Sequence, residues 1–182
     1  MPSRRPSRAL PALVALALAA GCSGGSTPEG WVEVADQGMR FDVPQDWVET
    51  GELNERWTRA WQDVEGDDAQ VQLAAAPDVG FYDALAAQGV LMASAQIGGL
   101  PGYSVVKNHD EDELGRSWRE LTRLDFTYEP EDGVQYEGVL WTASLDRQHP
   151  AVALQVTGAD LDPDVVAHLQ ESLEVVATDD EA

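Results

Sequence analysis

The sequence predicts an α+β domain in which helices pack against an antiparallel β-sheet. Most segments after residue 30 alternate apolar and polar side chains, which is the period-two pattern of half-buried strands. Only two segments place apolar residues at helical spacing instead. The connections are short and show no strand–helix–strand alternation, so an antiparallel sheet is favoured over a parallel one.

Period-two alternation predicts the strands in order along the chain. They are residues 31–36, 39–44, 55–61, 69–77, 103–108, 116–129, 134–146 and 151–158. The first two form one predicted hairpin and the next two form another. In this second hairpin Trp57 and Trp61 are expected on one face, because strand side chains four residues apart point the same way. Pro130 with Asp132 and Gly133 supplies the φ values of a tight turn between two later strands.

The first predicted helix covers residues 80–95. Phe81, Leu85, Gln88 and Met92 recur at helical spacing, with Ala84 and Leu91 widening the apolar stripe. We expect this stripe to face the sheet.

The second predicted helix covers residues 162–174. Asp162 is suited to cap its N-terminus, and Pro163 fits the first helical position. Its apolar face consists of Val165, Val166, Leu169 and Leu173.

The N-terminus has the layout of an export signal. Residues 1–8 contain three arginines and no acid, and residues 9–20 are almost wholly apolar. Twelve helical residues cover about 18 Å, which is short of the roughly 30 Å that a bilayer core requires. The segment therefore predicts a cleaved signal peptide rather than a transmembrane anchor.

Cys22 is the only cysteine and ends the segment "LAAGC", which resembles the lipobox of bacterial lipoproteins. The resemblance implies that its sulfur is alkylated with diacylglycerol and that the bond before it is cut. A thiol is readily alkylated, and two acyl chains give stable anchoring. The alternative is a buried or disulfide-bonded cysteine, but the chain offers no partner thiol. We therefore expect a signal peptide at 1–21, a flexible Gly/Ser tether at 22–30, and attachment to the extracytoplasmic face of the cell membrane.

Charge limits the partners of the mature chain. The whole sequence has a formal charge of −22, and removing residues 1–21 leaves all 33 acids but only eight basic residues, a charge of −25. This argues against nucleic acid or anionic lipid as a partner. The size that remains suits a single domain at 31–178, followed by an acidic tail at 179–182.

The elements together resemble the PsbP-like fold, and among its members the LpqN-type lipoproteins of actinobacteria. The matching features, in order, are the hairpin ending "FDVPQDW", the strands "TRAWQD" and "LAAAPD", the mid-chain helix, the hairpin around "YEPEDG", the strand "AVALQVTG" and the helix "VVAHLQESLEVV". They cover roughly residues 31–177. The resemblance implies an α/β/α sandwich whose members act as envelope binding or assembly factors rather than enzymes. It brings no catalytic motif and no cofactor to this chain.

No catalytic residue is assigned from sequence. The segment "GYSVV" lacks the second glycine of a Gly-x-Ser-x-Gly motif. His109 falls in an acidic segment expected to be a loop, His149 precedes Pro150, and His168 lies on the last helix. One alternative function is a small-molecule hydrolase with a dispersed site built from His149, Asp146 or His109.

No metal site is assigned either, although acidic residues cluster twice. Residues 109–113, "HDEDE", offer oxygen ligands for a loosely held divalent cation, so weak cation binding is a second alternative. Four acids occupy positions 1, 3, 5 and 12 of a calcium loop, but Val165 stands where the loop requires glycine. Those acids are Asp160, Asp162, Asp164 and Glu171. Helix capping explains them better.

Tryptophan and arginine supply the candidate ligand-binding residues. Six tryptophans are many for this length, and most are expected in the core. Arg56 and Arg59 are placed to stack on neighbouring indoles. We therefore expect Trp57, Arg59 and Trp61 to contact a ligand, an unknown envelope protein or glycolipid. A pocket of converging polar side chains would favour the hydrolase, and a flat or apolar groove would favour the binding factor.

Overall fold

The computed structural model describes residues 27–112, 120–130 and 133–177. The strands are β1 (Trp31–Asp36), β2 (Met39–Pro44), β3 (Val48–Glu49), β4 (Arg59–Gln62), β5 (Val71–Gly80), β6 (Ser104–Asp112), β7 (Glu120–Tyr128), β8 (Tyr136–Ser144), β9 (Ala151–Gly158) and β10 (Glu174–Val175). The α-helices are α1 (Ala84–Ser94), which continues into a π-helical turn (Ala95–Gly99), and α2 (Pro163–Ser172). Among the described residues, no helix combines the length and apolar character that a bilayer span requires.

Every strand pairing among the described residues is antiparallel, which confirms the predicted α+β class. Seven strands form one sheet in the order β3-β4-β5-β9-β8-β7-β6, and β1, β2 and β10 form a smaller sheet. Both predicted hairpins near the N-terminus are present. At the predicted turn between β7 and β8, the Gly133 amide donates to the Pro130 carbonyl at 3.0 Å and Gly133 has φ 74°, while Asp132 lies outside the described residues.

The large sheet is covered on both faces. On one face Leu73, Trp141 and Leu154 pack with Leu169 of α2 and with Phe41 of the small sheet. On the other face a second cluster packs against Leu91 of α1; it includes Ala76, Leu124, Phe126, Leu140 and Ala153. We call these the α2 face and the α1 face of the sheet.

The sequence predicted the buried side of α1 in part: Ala84, Gln88 and Leu91 are buried as expected, whereas the predictions for Phe81 and Leu85 are wrong. Asp83 caps the helix through Oδ1, which accepts from the Ala86 amide at 2.8 Å, so the helix begins later than expected. The buried positions are Ala84, Ala87, Gln88 and Leu91, whereas Phe81 is 66 % exposed and Leu85 is 55 % exposed. Small residues face the sheet because they let the helix backbone approach it, and Gln88 is drawn inward by a hydrogen bond to Thr122 at 3.0 Å.

The second helix begins as predicted but ends earlier. Asp162 Oδ1 accepts from the Asp164 amide at 2.9 Å, and Pro163 is the first helical residue. The helix ends at Ser172 because Leu173 is extended, with ψ 125°. The chain then adds β10 to the edge of β2, a short strand that no sequence pattern indicated.

Candidate functional site

A cavity of about 590 Å³ opens on the α1 face of the sheet. Its floor comes from β5 and β9. One wall is the loop between β3 and β4, and the other is the end of α1 with the π-helical turn. Four separate parts of the chain therefore meet at this cavity.

The loop wall is held in shape by Asn54. Its Oδ1 accepts from the backbone amides of Arg56 at 3.0 Å and Trp57 at 3.2 Å. The Leu53 amide donates to the Trp57 carbonyl at 2.9 Å and closes the loop. An asparagine that bonds the backbone two and three residues ahead stabilises a tight turn. The half-buried indole of Trp57 is thereby fixed at the cavity wall.

Arg56 connects the loop wall to the helix wall. Its Nη1 donates to Ser94 Oγ at 3.1 Å, and Ser94 Oγ donates to the Val90 carbonyl at 3.0 Å. The guanidinium thus ties the loop to the last turn of α1 across one side of the cavity. Glu55 is the only other charged residue in the lining, so the cavity itself is nearly neutral.

The floor carries two side-chain amides, Gln72 on β5 and Gln155 on β9, with Ala74 beside them. Within the described part of the chain, neither amide group makes a hydrogen bond. Each amide offers two N–H donors and one oxygen acceptor. The floor therefore presents donors and acceptors to a bound molecule, beside the apolar surfaces of Trp57, Leu91 and Leu100.

The structure separates the three ligand-binding residues expected from sequence. Trp57 lies in the cavity on the α1 face, but Trp61 is 4 % exposed and packs in the core of the α2 face. The expectation that the two indoles share a face is wrong. β4 begins only at Arg59, so Trp57 belongs to the preceding loop and does not follow strand alternation.

Arg59 contacts Trp61 as the sequence suggested, but both side chains are engaged within the protein. The guanidinium carbon lies 4.9 Å from the centre of the Trp61 ring. Arg59 also donates to Glu49 from Nε at 2.8 Å and from Nη2 at 3.0 Å. These bonds hold the pKa of Glu49 below its ordinary value and raise the pKa of Arg59. The pair lines a separate cavity of about 430 Å³ between the two sheets.

Each of the three histidines contacts an aspartate instead of a nucleophile. The pairs are His109 Nε2 with Asp125 Oδ2 at 3.3 Å, His149 Nδ1 with Asp146 Oδ1 at 2.9 Å, and His168 Nε2 with Asp42 Oδ2 at 2.9 Å. His109 lies on β6 rather than in a loop, and the hydrogen bond from His149 lowers the pKa of Asp146. None of the three histidines lines the 590 Å³ cavity.

A second groove, which sequence patterns did not indicate, runs beneath α2 on the other face. It measures about 390 Å³ and lies between α2 and strands β6 to β8. Arg123 Nε donates to Asp125 Oδ1 at 2.7 Å, and Arg123 Nη1 donates to Gln170 Oε1 at 3.3 Å. Two of the charged side chains in its lining, Arg123 and Asp125, are thus bonded to each other. The one sequence feature that marks this groove is a pair of opposite charges two residues apart in a strand, Arg123 and Asp125, which the sequence analysis did not single out.

Acidic clusters give no metal site in the described residues. No three His, Cys, Asp or Glu side chains there are grouped closely enough to hold an ion. The side chains of residues 110–113, which were predicted as cation ligands, lie outside the described part of the structure. Asp162 caps α2, which is the role that the sequence favoured for it. Cys22, Trp118 and residues 178–182 also lie outside the described residues.

Comparison with known proteins identifies the fold. No protein-family model matches the chain, and no curated protein matches it. The solution structure of the cyanobacterial PsbP (CyanoP) from Synechocystis sp. PCC 6803 matches with a TM-score of 0.60 at 14 % identity, covering 86 % of this chain and 98 % of that one.

Two further solved structures are similar. The Ran-binding protein Mog1p of Saccharomyces cerevisiae gives a TM-score of 0.55 at 9 % identity, covering 80 % of this chain and 95 % of its own. LpqN of Mycobacterium tuberculosis is described as involved in cell envelope biogenesis. Its structure gives a TM-score of 0.49 at 17 % identity, covering 81 % of this chain and 91 % of its own. The likeness to CyanoP confirms the PsbP-like fold expected from the sequence, and at 14 % identity it shows the fold alone.

Proposed function

We propose that this protein is a non-enzymatic binding factor of the cell envelope, held on the extracytoplasmic face of the membrane by lipid on Cys22. The observation that carries the proposal is the cavity of about 590 Å³ with two unbonded glutamine side chains on its floor and a tryptophan at its wall. A volume of this size suits a small-molecule or head-group ligand. The lining holds no histidine, serine pair or cysteine arranged for catalysis.

The lining chemistry favours an uncharged, hydrogen-bonding ligand. Gln72 and Gln155 can each donate and accept, which matches hydroxyl or amide groups. Trp57 provides a flat apolar surface, and the single pair Glu55 and Arg56 leaves no excess charge. A glycolipid head group combines hydroxyls with apolar ring faces, so it fits this concave site better than a protein surface does. Mog1p, one structural neighbour, is named as a Ran-binding protein, so the same fold supports a binding role elsewhere.

The proposal is tested by identifying the lipid that the protein carries when it is extracted from its own membranes. Protein extracted from its own membranes in mild detergent should carry a saccharide-bearing lipid, detectable by mass spectrometry. Gln155→Leu and Trp57→Ala should each reduce the bound fraction about tenfold, since a lost hydrogen bond or stacking contact costs on the order of 1–2 kcal/mol. Gln148→Leu provides the matched control, because Gln148 lies exposed in the loop between β8 and β9. Equal lipid content in all four proteins would refute binding at this cavity.

A further inference from the structure

The first described residues of the chain are fixed to the α2 face of the domain. The Trp31 amide donates to the Pro28 carbonyl at 3.2 Å, and the Gln45 amide donates to the Gly30 carbonyl at 2.8 Å. The centre of the Trp31 indole lies 3.9 Å from the centre of the His168 ring on α2, and the indole packs on the core of that face. From Pro28 onward the chain is therefore part of the folded domain, on the side of the sheet that carries α2.

The cavity of about 590 Å³ lies on the other side of the sheet. Along β5, Leu73 and Ala75 point into the core of the α2 face. Because strand side chains alternate between the two faces, Gln72 and Ala74 point to the α1 face. Gln155 on β9 lies opposite Ala74 and shares that face. The sheet therefore separates the floor of the cavity from the point where the chain enters the domain.

The spacing of packed layers gives the distance between these two places. Layers lie about 10 Å apart, and a helix with its side chains extends about 5 Å beyond its axis. Trp31 contacts α2, so the chain enters the domain at the level of the α2 layer, about 10 Å from the sheet. The outer side of α1 lies about 15 Å from the sheet in the opposite direction. The entry point and the outer side of α1 therefore differ in height by about 25 Å.

The chain between Cys22 and the domain is shorter than this height. Six residue steps join Cys22 to Pro28. A fully extended chain covers about 3.5 Å per step, so this connection spans at most about 20 Å. If the α1 face lay on the bilayer, Pro28 would stand about 25 Å from the lipid, which exceeds the straightened connection. With the α2 face toward the lipid the connection need not straighten, so its conformational entropy favours that orientation.

The same length lets the acidic domain stand clear of the lipid. Physiological salt screens charge over about 8–10 Å, and the connection reaches about twice as far. The mature chain, with its formal charge of −25, therefore need not press carboxylates against head groups. The connection is long enough to keep the domain in water and too short to turn it over.

We propose that the cavity opens away from the bilayer that anchors the protein and receives its ligand from the aqueous side. This inference rests on the proposed function, which supplies both the lipid on Cys22 and the binding role of the cavity. The ligand is a hydroxyl-bearing head group that has left the anchoring bilayer or belongs to a facing surface. Gln72 and Gln155 meet it there with their amide donors and acceptors.

The orientation is measured with a dye on the acylated mature protein in phosphatidylcholine vesicles. Lipid occupies the thiol of Cys22, so Ile97→Cys adds a single labelling site in the π-helical turn of the cavity wall. Ala167→Cys, exposed on α2 beside His168, labels the other side of the sheet. A nitroxide on the lipid head groups should quench the dye at 167 at least about twice as strongly as the dye at 97, because the two sides differ in height by about 25 Å.

A longer connection is the matched control. Inserting about twenty Gly and Ser residues between Ser26 and Thr27 raises the average span of the connection to about 28 Å, which lets the domain turn over. The two dyes should then be quenched equally. Equal or stronger quenching at 97 in the natural chain, or a difference that survives the insertion, would overturn the inference.

The route of the ligand is tested by lipid capture. A lipid extract of the native membranes is supplied in the anchoring vesicles, in second vesicles, or as a cyclodextrin complex, and mass spectrometry measures the lipid on the re-isolated protein. Capture from the second vesicles or from the complex should equal or exceed capture from the anchoring vesicles. These two sources distinguish a facing surface from a dispersed lipid. Gln155→Leu should reduce capture in every arrangement.

The outcomes separate this inference from the function on which it rests. Capture from the anchoring vesicles alone would refute delivery from the aqueous side and leave the binding role intact. Capture in no arrangement would refute the proposed function itself, and the route of the ligand would fall with it. A protein that does not float with the vesicles would refute the anchor, and the orientation with it.

Discussion

Individual side chains set how α1 sits on the sheet. Gln88 Nε2 donates to Thr122 Oγ1 at 3.0 Å, Thr122 Oγ1 lies 2.6 Å from Thr142 Oγ1, and Thr142 donates to the Ala84 carbonyl at 2.7 Å. Because Thr142 gives its proton to Ala84, Thr122 must be the donor in the bond between the two hydroxyls. All these side chains are buried. The chain of bonds explains why a glutamine occupies the inner side of an otherwise apolar helix.

Thr142→Val should destabilise the protein by about 1–3 kcal/mol, because it leaves the buried Thr122 hydroxyl without its acceptor while conserving volume. Urea denaturation followed by tryptophan fluorescence measures the change in the free energy of unfolding. Thr50→Val, at an exposed site, is the control and should change it little. Equal free energies of unfolding for the two variants would show that this buried series of hydrogen bonds does not stabilise the protein.

At the scale of secondary-structure elements, short strands depend on side-chain contacts. β3 has two residues, and it is joined to β4 by the paired Glu49 and Arg59 as well as by backbone bonds. β10 is equally short, and Glu174 lies 3.7 Å from Arg40 of its neighbour β2. Tertiary contacts determine where such strands form, because two residues are too few to show the alternation of apolar and polar side chains that predicts a strand.

Removing the Glu49 carboxylate should weaken the β3–β4 contact in a pH-dependent way. The pKa of Glu49 is lowered in the folded state, so its contribution is present above the ordinary value of about 4.3 and is lost as the pH falls through the folded value. Glu49→Gln should therefore lower the free energy of unfolding by less than about 1 kcal/mol at neutral pH, because the Glu49–Arg59 pair is largely exposed. Near pH 2, variant and wild type should unfold at the same urea concentration.

The control for this effect is Glu52→Gln, an exposed acid in the following loop. Its free energy of unfolding should equal that of the wild type both at neutral pH and near pH 2. A Glu49→Gln penalty that persists unchanged in acid would mean that the side chain acts through packing rather than charge.

For the whole molecule, the central prediction concerns Cys22. If lipid is attached there, the mature protein begins at Cys22, carries a diacylglyceryl thioether and partitions with membranes despite its acidity. Each buried methylene contributes about 0.8 kcal/mol, so two acyl chains outweigh a repulsion that salt screens over roughly 8–10 Å. Cys22→Ala should block both lipid addition and the cut that follows it, leaving a larger precursor.

Intact mass spectrometry of detergent-extracted protein checks this outcome. Ser23→Ala, at the next residue, is the matched control and should be processed and acylated normally. An unmodified Cys22, or an N-terminus at another residue, would remove the lipoprotein assignment and the membrane location that depends on it.

Local sequence patterns determined the fold class and most of the strands. Alternation in segments such as 151–158 depends only on which face of a strand meets the core, and the Asp162–Pro163 start of α2 depends only on neighbouring residues. The antiparallel pairing followed from short connections. These features are local, so a single sequence contains them.

Only the tertiary structure decided that Phe81 and Leu85 stay outside the core and where the cavity lies. Leu85 looked like a core residue, but Ala87 is buried against the sheet instead, because a small side chain lets the helix backbone approach the strands. Trp57 and Trp61 lie on different faces because the turn at Asn54, in the loop before β4, fixes Trp57, whereas Trp61 lies on the strand itself. Gln72 and Gln155 meet only because β5 pairs with β9 across more than eighty residues of sequence. This long-range pairing places Gln155 opposite Ala74, two positions along β5 from Gln72, so both amides line the same cavity and the site exists only in the folded chain.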